Sequence, residues 1–230
     1  MAALELNSTR LIRDTGLVAY WRFQGNSNAT VGGFNGSDTN ASYSNTYGKF
    51  GNGVSCTGTA DANIAFSAKI IPAGAKTISF WYTYLGTTTN LQHIVDTCQQ
   101  DPATKNGTYI TTSTNGQSIY WGEGINVGSL TLTAPNNGSN FYTFTWDGTT
   151  GTNKMIGYIN GAISVQATAA TATQAAGYRN LCVAGLSGYS YPLKGYLDEL
   201  AIFNRALNPK DVWSLYSGVW TGGSFLLNML

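Results

Sequence analysis

Gly195-Tyr-Leu-Asp-Glu-Leu-Ala-Ile-Phe203 is the stretch of sequence that decides the fold, and Asn-Arg-Ala-Leu207 continues it. Large apolar side chains recur in it at close intervals, and an alternation with a period of two is typical of a β-strand. With regular alternation, one face carries Leu197, Glu199, Ala201 and Phe203, and the other carries Tyr196, Asp198, Leu200 and Ile202. We therefore predict a strand with these two faces.

The residues that follow this strand predict one short helix. Asn208 is a good N-cap residue, Pro209 suits the first helical position, and Asp211 lies three residues after the cap. Val212 and Tyr216 are four residues apart and would share the buried face of the helix. We expect this helix to cover a sheet edge or an end of the folded domain.

Further strands are predicted on both sides of this motif. β-Branched and aromatic residues dominate the segments 17–23, 77–84, 141–146 and 155–159. Asp147-Gly148, Asn160-Gly161 and Asn115-Gly116 separate candidate strands and are typical of tight hairpin turns. The pattern indicates one all-β domain over residues 17–217, with an N-terminal appendage at 1–16 and an apolar tail at 218–230.

Taken in chain order, six segments resemble the laminin-G-like domains of the concanavalin A-like lectin/glucanase superfamily. They are residues 17–26, 48–58, 77–81, 141–148, 158–161 and 195–207. The resemblance implies a jelly-roll β-sandwich of two antiparallel sheets with six or seven strands each. It also implies a generally non-catalytic domain that recognises a glycan or another protein.

The chain carries very little charge. Lys and Arg number 12 and Asp and Glu 11, so that charged residues make up 10% of the sequence, against about 25% in typical globular domains. Nucleic acid is an unsuitable partner, because phosphate recognition requires a basic surface. No segment reaches the ~20 apolar residues of a membrane span. The first ten residues lack the pattern of a signal peptide, and we expect the protein at an extracellular or virion surface.

Catalytic patterns are scarce. The acidic neighbours Asp198 and Glu199 would point to opposite faces of a regular strand, which argues against the paired carboxylates of a glycoside hydrolase. The sequence contains one histidine, His93, and its three cysteines show no metal-ligand spacing. We therefore predict no enzyme activity, and a glycoside hydrolase is the minor alternative.

The resemblance also implies a structural calcium ion at the rim of the sandwich. Many relatives use oxygens of the loop after the first strand together with an acidic residue of the final motif. The corresponding residues of this chain are Asn26, Asn28 and Asp198. A calcium site with a single carboxylate would be weak or absent, because calcium requires six to eight oxygens with sufficient negative charge.

Aromatic residues beside polar ones are candidates for a sugar site on rim loops or on a concave sheet face. We predict Trp121, Tyr189 and Tyr191 as stacking residues, with Glu123 and Asn126 as polar neighbours.

The apolar C-terminal tail suggests a second function. Trp220, Phe225, Leu226 and Leu227 would form an aggregation-prone patch if exposed, so they pack on their own domain or contact a partner subunit. Two hypotheses follow. The first is a lectin-like module for a neutral glycan or a surface protein. The alternative is a structural subunit of a virion or extracellular particle, in which the termini clasp copies of the chain or other subunits.

Overall fold

The computed structural model describes residues 15–56, 62–86, 91–97, 107–114, 118–133, 138–171, 180–185 and 193–218, without the side chains of residues 125 and 126. Two antiparallel sheets make up this part of the chain. The predicted tyrosines 189 and 191 and the tail residues Trp220, Phe225, Leu226 and Leu227 lie outside the described residues.

Within the described residues the larger sheet contains eight strands. In spatial order, seven of them are β13 (Ala162–Ala169), β12 (Gly151–Ile159), β11 (Ser139–Trp146), β6 (Lys76–Tyr84), β15 (Gly195–Phe203), β4 (Gly53–Ser55) and β3 (Ser42–Ser44). The eighth, β1 (Leu17–Trp21), pairs with the second half of β15, while β4 pairs with its first half.

The smaller sheet contains seven strands in the part of the chain that the structure describes. In spatial order they are β10 (Gly128–Thr133), β9 (Ser118–Glu123), β8 (Thr108–Thr112), β7 (Gln92–Asp96), β14 (Cys182–Val183), β5 (Asn63–Ala65) and β2 (Ser37–Thr39). The predicted jelly-roll sandwich is confirmed. Several three-residue strands at the sheet edges bring the sheets to eight and seven strands.

The main core lies between the two sheets and is rich in aromatic residues. Phe80 and Phe144 of the larger sheet are fully buried there, as is Trp121 of the smaller sheet. The rings of Trp121 and Phe144 are 5.5 Å apart, so they join the two sheets directly. Trp81, next to Phe80, points to the other side of the larger sheet, as strand alternation requires.

The hairpin between β12 and β13 follows the sequence prediction. Asn160 and Gly161 have positive φ angles of 51° and 81°, which a type I′ turn requires at both central positions. Asn160 also accepts a hydrogen bond from Phe141 N–H, and thereby ties the turn to β11.

The predicted alternation of β15 is wrong in its second half. Glu199 has a φ of 53°, and the register with β6 shifts between Asp198 and Ala201. This β-bulge inserts one residue, so that every side chain after it changes faces. The core face therefore carries Leu197, Leu200 and Ile202, whereas Ala201 and Phe203 lie on the outer face.

That outer apolar face explains the position of the C-terminal helix. A short helix, α1 (Gly124–Val127), follows β9, and the predicted helix is α2 (Pro209–Ser217). Asn208 caps α2 by accepting hydrogen bonds from Lys210 N–H and Asp211 N–H. Helix α2 covers the outer face of the larger sheet, where Val212 packs with Tyr20, Tyr158, Ala201, Phe203 and Leu207. Neither described helix is long and apolar enough to cross a membrane.

Candidate ligand-binding face and rim loops

The outer face of the smaller sheet carries two rows of side chains. Because Ile119 and Trp121 face the core, the alternate residues of β9, Tyr120 and Gly122, face outward. The strand register then defines one row of Thr131, Tyr120, Thr111 and His93, and another of Ser129, Gly122, Tyr109, Asp96 and Cys182.

Two tyrosines dominate this surface. The rings of Tyr109 and Tyr120 are 5.5 Å apart, and Tyr109 OH donates to Tyr120 OH at 3.3 Å. Gly122 makes this arrangement possible, because a Cβ at that position would overlap the ring of Tyr109. Both tyrosines are partly exposed, and Ser129 and Thr131 beside them are exposed. We call Tyr109, Tyr120, Gly122, Ser129 and Thr131 the tyrosine face.

A histidine and an aspartate border the tyrosine face. A register shift between His93 and Val95 turns His93 and Asp96 to the same side, with His93 Nδ1 2.6 Å from Asp96 Oδ2. Both side chains are nearly buried. Because the two groups are paired with each other, they add a fixed polar edge to an otherwise uncharged surface.

Trp121 and Glu123, predicted to contact a ligand, lie inside the sandwich. Both are 0% exposed, and Trp121 Nε1 donates to Glu123 Oε1 at 2.9 Å. Lys76 of β6 donates to Glu123 Oε2, so this carboxylate links the two sheets. A sugar cannot stack on Trp121 in this position. Asn126 lies in α1, and its side chain is outside the described residues.

The residues of the implied calcium site do not fit a cation. Asn26 Oδ1 accepts Asn28 N–H, which makes a local turn. Both oxygens of Asp198 are engaged by the main chain: Oδ2 accepts Lys49 N–H and Phe50 N–H, and Oδ1 accepts Glu199 N–H. Within the described residues, no hydrogen bond joins Asp198 to the two asparagines.

Two adjacent carboxyl groups lie at the bulge of β15. Tyr20 OH donates to Glu199 Oε2, and Arg22 Nε lies 3.4 Å from Glu199 Oε1. Burial raises the pKa of Glu199 to about 8 and that of Asp198 to about 7. The bulge brings both to the outer side of the sheet, contrary to the opposite faces predicted from regular alternation.

Comparison with known protein families supports the two-sheet sandwich fold. A family model described as the concanavalin A-like lectin/glucanases superfamily matches residues 57–213. No curated protein matches the chain.

Several solved structures share the fold. Domain 4 of AbnA, a GH43 extracellular arabinanase from Geobacillus stearothermophilus solved with arabinotriose, is 18% identical with a TM-score of 0.63, covering 87% of this chain and 98% of that one. Trypanosoma rangeli sialidase is 10% identical with a TM-score of 0.67, covering 96% of this chain but only 39% of the sialidase.

A third similar structure is the binding domain of botulinum neurotoxin DC in complex with rat synaptotagmin II, at 14% identity and a TM-score of 0.65, covering 90% of this chain and 52% of that one. At these identities the structures establish the shared fold alone. The family match covers more than half of the sequence, and the described strands have the corresponding two-sheet architecture. The chain belongs to the concanavalin A-like lectin/glucanase superfamily.

Proposed function

We propose that this protein is a non-catalytic recognition module that binds a neutral glycan on the tyrosine face, at an extracellular or particle surface. The observation that carries the proposal is the pair of partly exposed rings of Tyr109 and Tyr120 on the outer face of the smaller sheet. Aromatic rings pack against the apolar face of a sugar ring, and neighbouring hydroxyl groups bond its hydroxyls.

The charges near this face favour a neutral ligand. Ser129 and Thr131 contribute hydroxyl groups, and His93 and Asp96 are paired with each other. The net charge of the chain is +1, so no long-range field favours an acidic ligand. A short neutral oligosaccharide, for which the arabinotriose held by the AbnA domain is a suitable first probe, fits this chemistry.

The acidic residues support binding rather than hydrolysis. Within the described residues each acidic side chain has a partner in its own chain, as in Lys154 with Asp147 and Arg205 with Asp211. Hydrolysis requires two carboxyl groups that face a common substrate. Asp198 instead accepts three main-chain hydrogen bonds, and Glu199 is held by Tyr20 and Arg22.

Binding to an array of neutral oligosaccharides, followed by calorimetry on the hits, tests the proposal. Tyr109→Ala and Tyr120→Ala should each weaken binding roughly tenfold or more, because each removes one stacking surface. Tyr47, in the turn after β3, stacks on Tyr196 of β15 with ring centroids 4.3 Å apart, so Tyr47→Ala is the matched control. Binding that is lost in Tyr47→Ala and retained in Tyr109→Ala would place the site elsewhere, and a blank array would remove the glycan proposal.

Self-association is the second candidate function, as expected of a particle subunit. Trp213 on α2 is 54% exposed and Ile163 on β13 is 48% exposed, and both are large apolar residues. The apolar tail follows α2 directly in the sequence. Size-exclusion chromatography of the full chain should then show an oligomer that Trp213→Ser or removal of residues 218–230 dissociates. If the full chain, Trp213→Ser and the truncated chain all elute as monomers, self-association is excluded.

A further inference from the structure

One side chain, Gln24, ties two loops of the sandwich rim together. Its Nε2 donates to the main-chain carbonyls of Arg22, Phe50 and Asn52 at 2.9, 2.8 and 2.9 Å. Its Oε1 accepts the N–H of Asn52 at 3.0 Å. Because a backbone N–H can only donate, this last bond fixes which atom of the carboxamide is the oxygen.

The three carbonyl oxygens converge on a single point. An NH₂ group has two protons, so three acceptors are more than it can satisfy with separate hydrogen bonds. Main-chain carbonyl oxygens arranged around one position are the ligands with which proteins hold hard cations such as calcium. At this rim the partial positive charge of the Gln24 Nε2 group faces all three carbonyl oxygens.

The same loop is held from its other side by Asp198. Its Oδ2 accepts the N–H groups of Lys49 and Phe50, adjacent to the carbonyl that bonds Gln24. The acidic residue implied as a calcium ligand therefore bonds to main-chain amides. The neutral carboxamide of Gln24 thus joins segment 22–24 to segment 48–52, and the buried carboxyl group of Asp198 joins segment 48–52 to β15.

We propose that the carboxamide of Gln24 occupies the position of a structural cation, so that the rim of this chain closes without a metal ion. The consequence goes beyond glycan recognition itself: the stability of the domain is independent of calcium. The site is latent, because Gln24→Glu would place a carboxylate among three carbonyl oxygens. The carboxylate and the carbonyl oxygens would repel one another until a divalent cation binds between them.

Thermal unfolding of the full chain in excess EDTA and in calcium chloride tests this proposal. The wild-type melting temperature should be the same in both buffers. Gln24→Glu should melt at a lower temperature in EDTA and regain about 3 °C or more in calcium. Gln24→Met removes the hydrogen bonds without adding charge, and it should be destabilised equally in both buffers.

Gln166→Glu is the matched control for charge, because Gln166 is exposed on β13, away from the rim. It should not respond to calcium. A wild-type protein that gains stability from calcium would overturn the proposal. So would a Gln24→Glu protein that melts identically in both buffers or folds in neither. The readout is independent of any sugar, so this proposal can fail while glycan binding holds, and the converse is equally possible.

Discussion

Lys76 Nζ donates to Glu123 Oε2 at 2.7 Å between the two sheets, and both side chains are fully buried. Glu123 also accepts from Thr108 Oγ1 and Trp121 Nε1, and Lys76 Nζ lies 5.3 Å from the centre of the Trp146 ring. Each oxygen of the carboxylate therefore has donors, as burial of a charge requires. The pair links β6 of one sheet to β9 of the other.

Loss of one partner should destabilise the protein strongly. Lys76→Met leaves the Glu123 charge uncompensated in the core and should lower the free energy of unfolding by about 3–5 kcal/mol in urea titrations. The double variant Lys76→Met/Glu123→Gln should regain much of the lost free energy of unfolding, because a neutral amide needs no counter-charge. Lys154→Met breaks the half-exposed pair with Asp147 and should cost less than about 1 kcal/mol. Equal losses in the two single variants would contradict a special role for burial.

Stability should depend on pH through Glu199. Burial raises its pKa from 4.5 to about 8, so the folded protein binds this proton more tightly than the unfolded chain does. The contribution to stability is complete below about pH 4.5 and is lost as the pH rises through about 8. Urea unfolding at a series of pH values should show this decline. Glu199→Gln should make the decline of stability with pH less steep and leave only the contribution of Asp198. An unchanged pH dependence of stability would show that Glu199 is not the titrating group.

The tyrosine face should depend on the glycine beneath it. Gly122→Ala places a methyl group where the Tyr109 ring lies, so the ring must move away. We expect a loss of roughly 1–3 kcal/mol from overpacking, together with weaker glycan binding. Gly74→Ala is the control, because no atom lies within 4 Å of a Cβ built there. Unaltered binding by a folded Gly122→Ala protein would argue against the tyrosine face as the site.

The N-cap of α2 should make a measurable contribution. Asn208→Ala removes the acceptor for two main-chain N–H groups and should lower the free energy of unfolding by about 1 kcal/mol. Asn208→Ser retains a side-chain acceptor and should behave much like the wild type. If the alanine and serine variants are equally stable, the capping bonds contribute little.

Much of the fold could be predicted from local patterns. The alternation within 195–198, the Asn160-Gly161 turn and the Asn208-Pro209 helix start each depend on residues close together in sequence. The direction of β15 after Glu199 could not be predicted in this way. Glu199 adopts a left-handed backbone conformation in a strand that pairs with β6 and β1. No glycine or proline next to Glu199 indicates this bulge in the sequence.

The candidate site was harder to predict for a related reason. A period of two indicates that Tyr120 and Trp121 point to opposite sides, but not which side becomes the interior. The side is decided by contacts with distant segments: Trp121 packs against Phe144, and Glu123 pairs with Lys76, which lies 47 residues before it. The role of Gln24 likewise arises from contacts with residues 26 and 28 positions away.

The pairing of β1 with β15 also determines when the domain can be completed during synthesis. Tyr20 lies opposite Ala201, and Trp21 opposite Leu200, so the first strand finds its partner only after about 180 further residues have been added. At a translation rate of about 5–20 residues per second, this delay is on the order of 10–40 s. During that interval β1 lacks the strand with which it pairs in the folded sheet. The larger sheet can therefore be completed only after almost the whole domain has been synthesised.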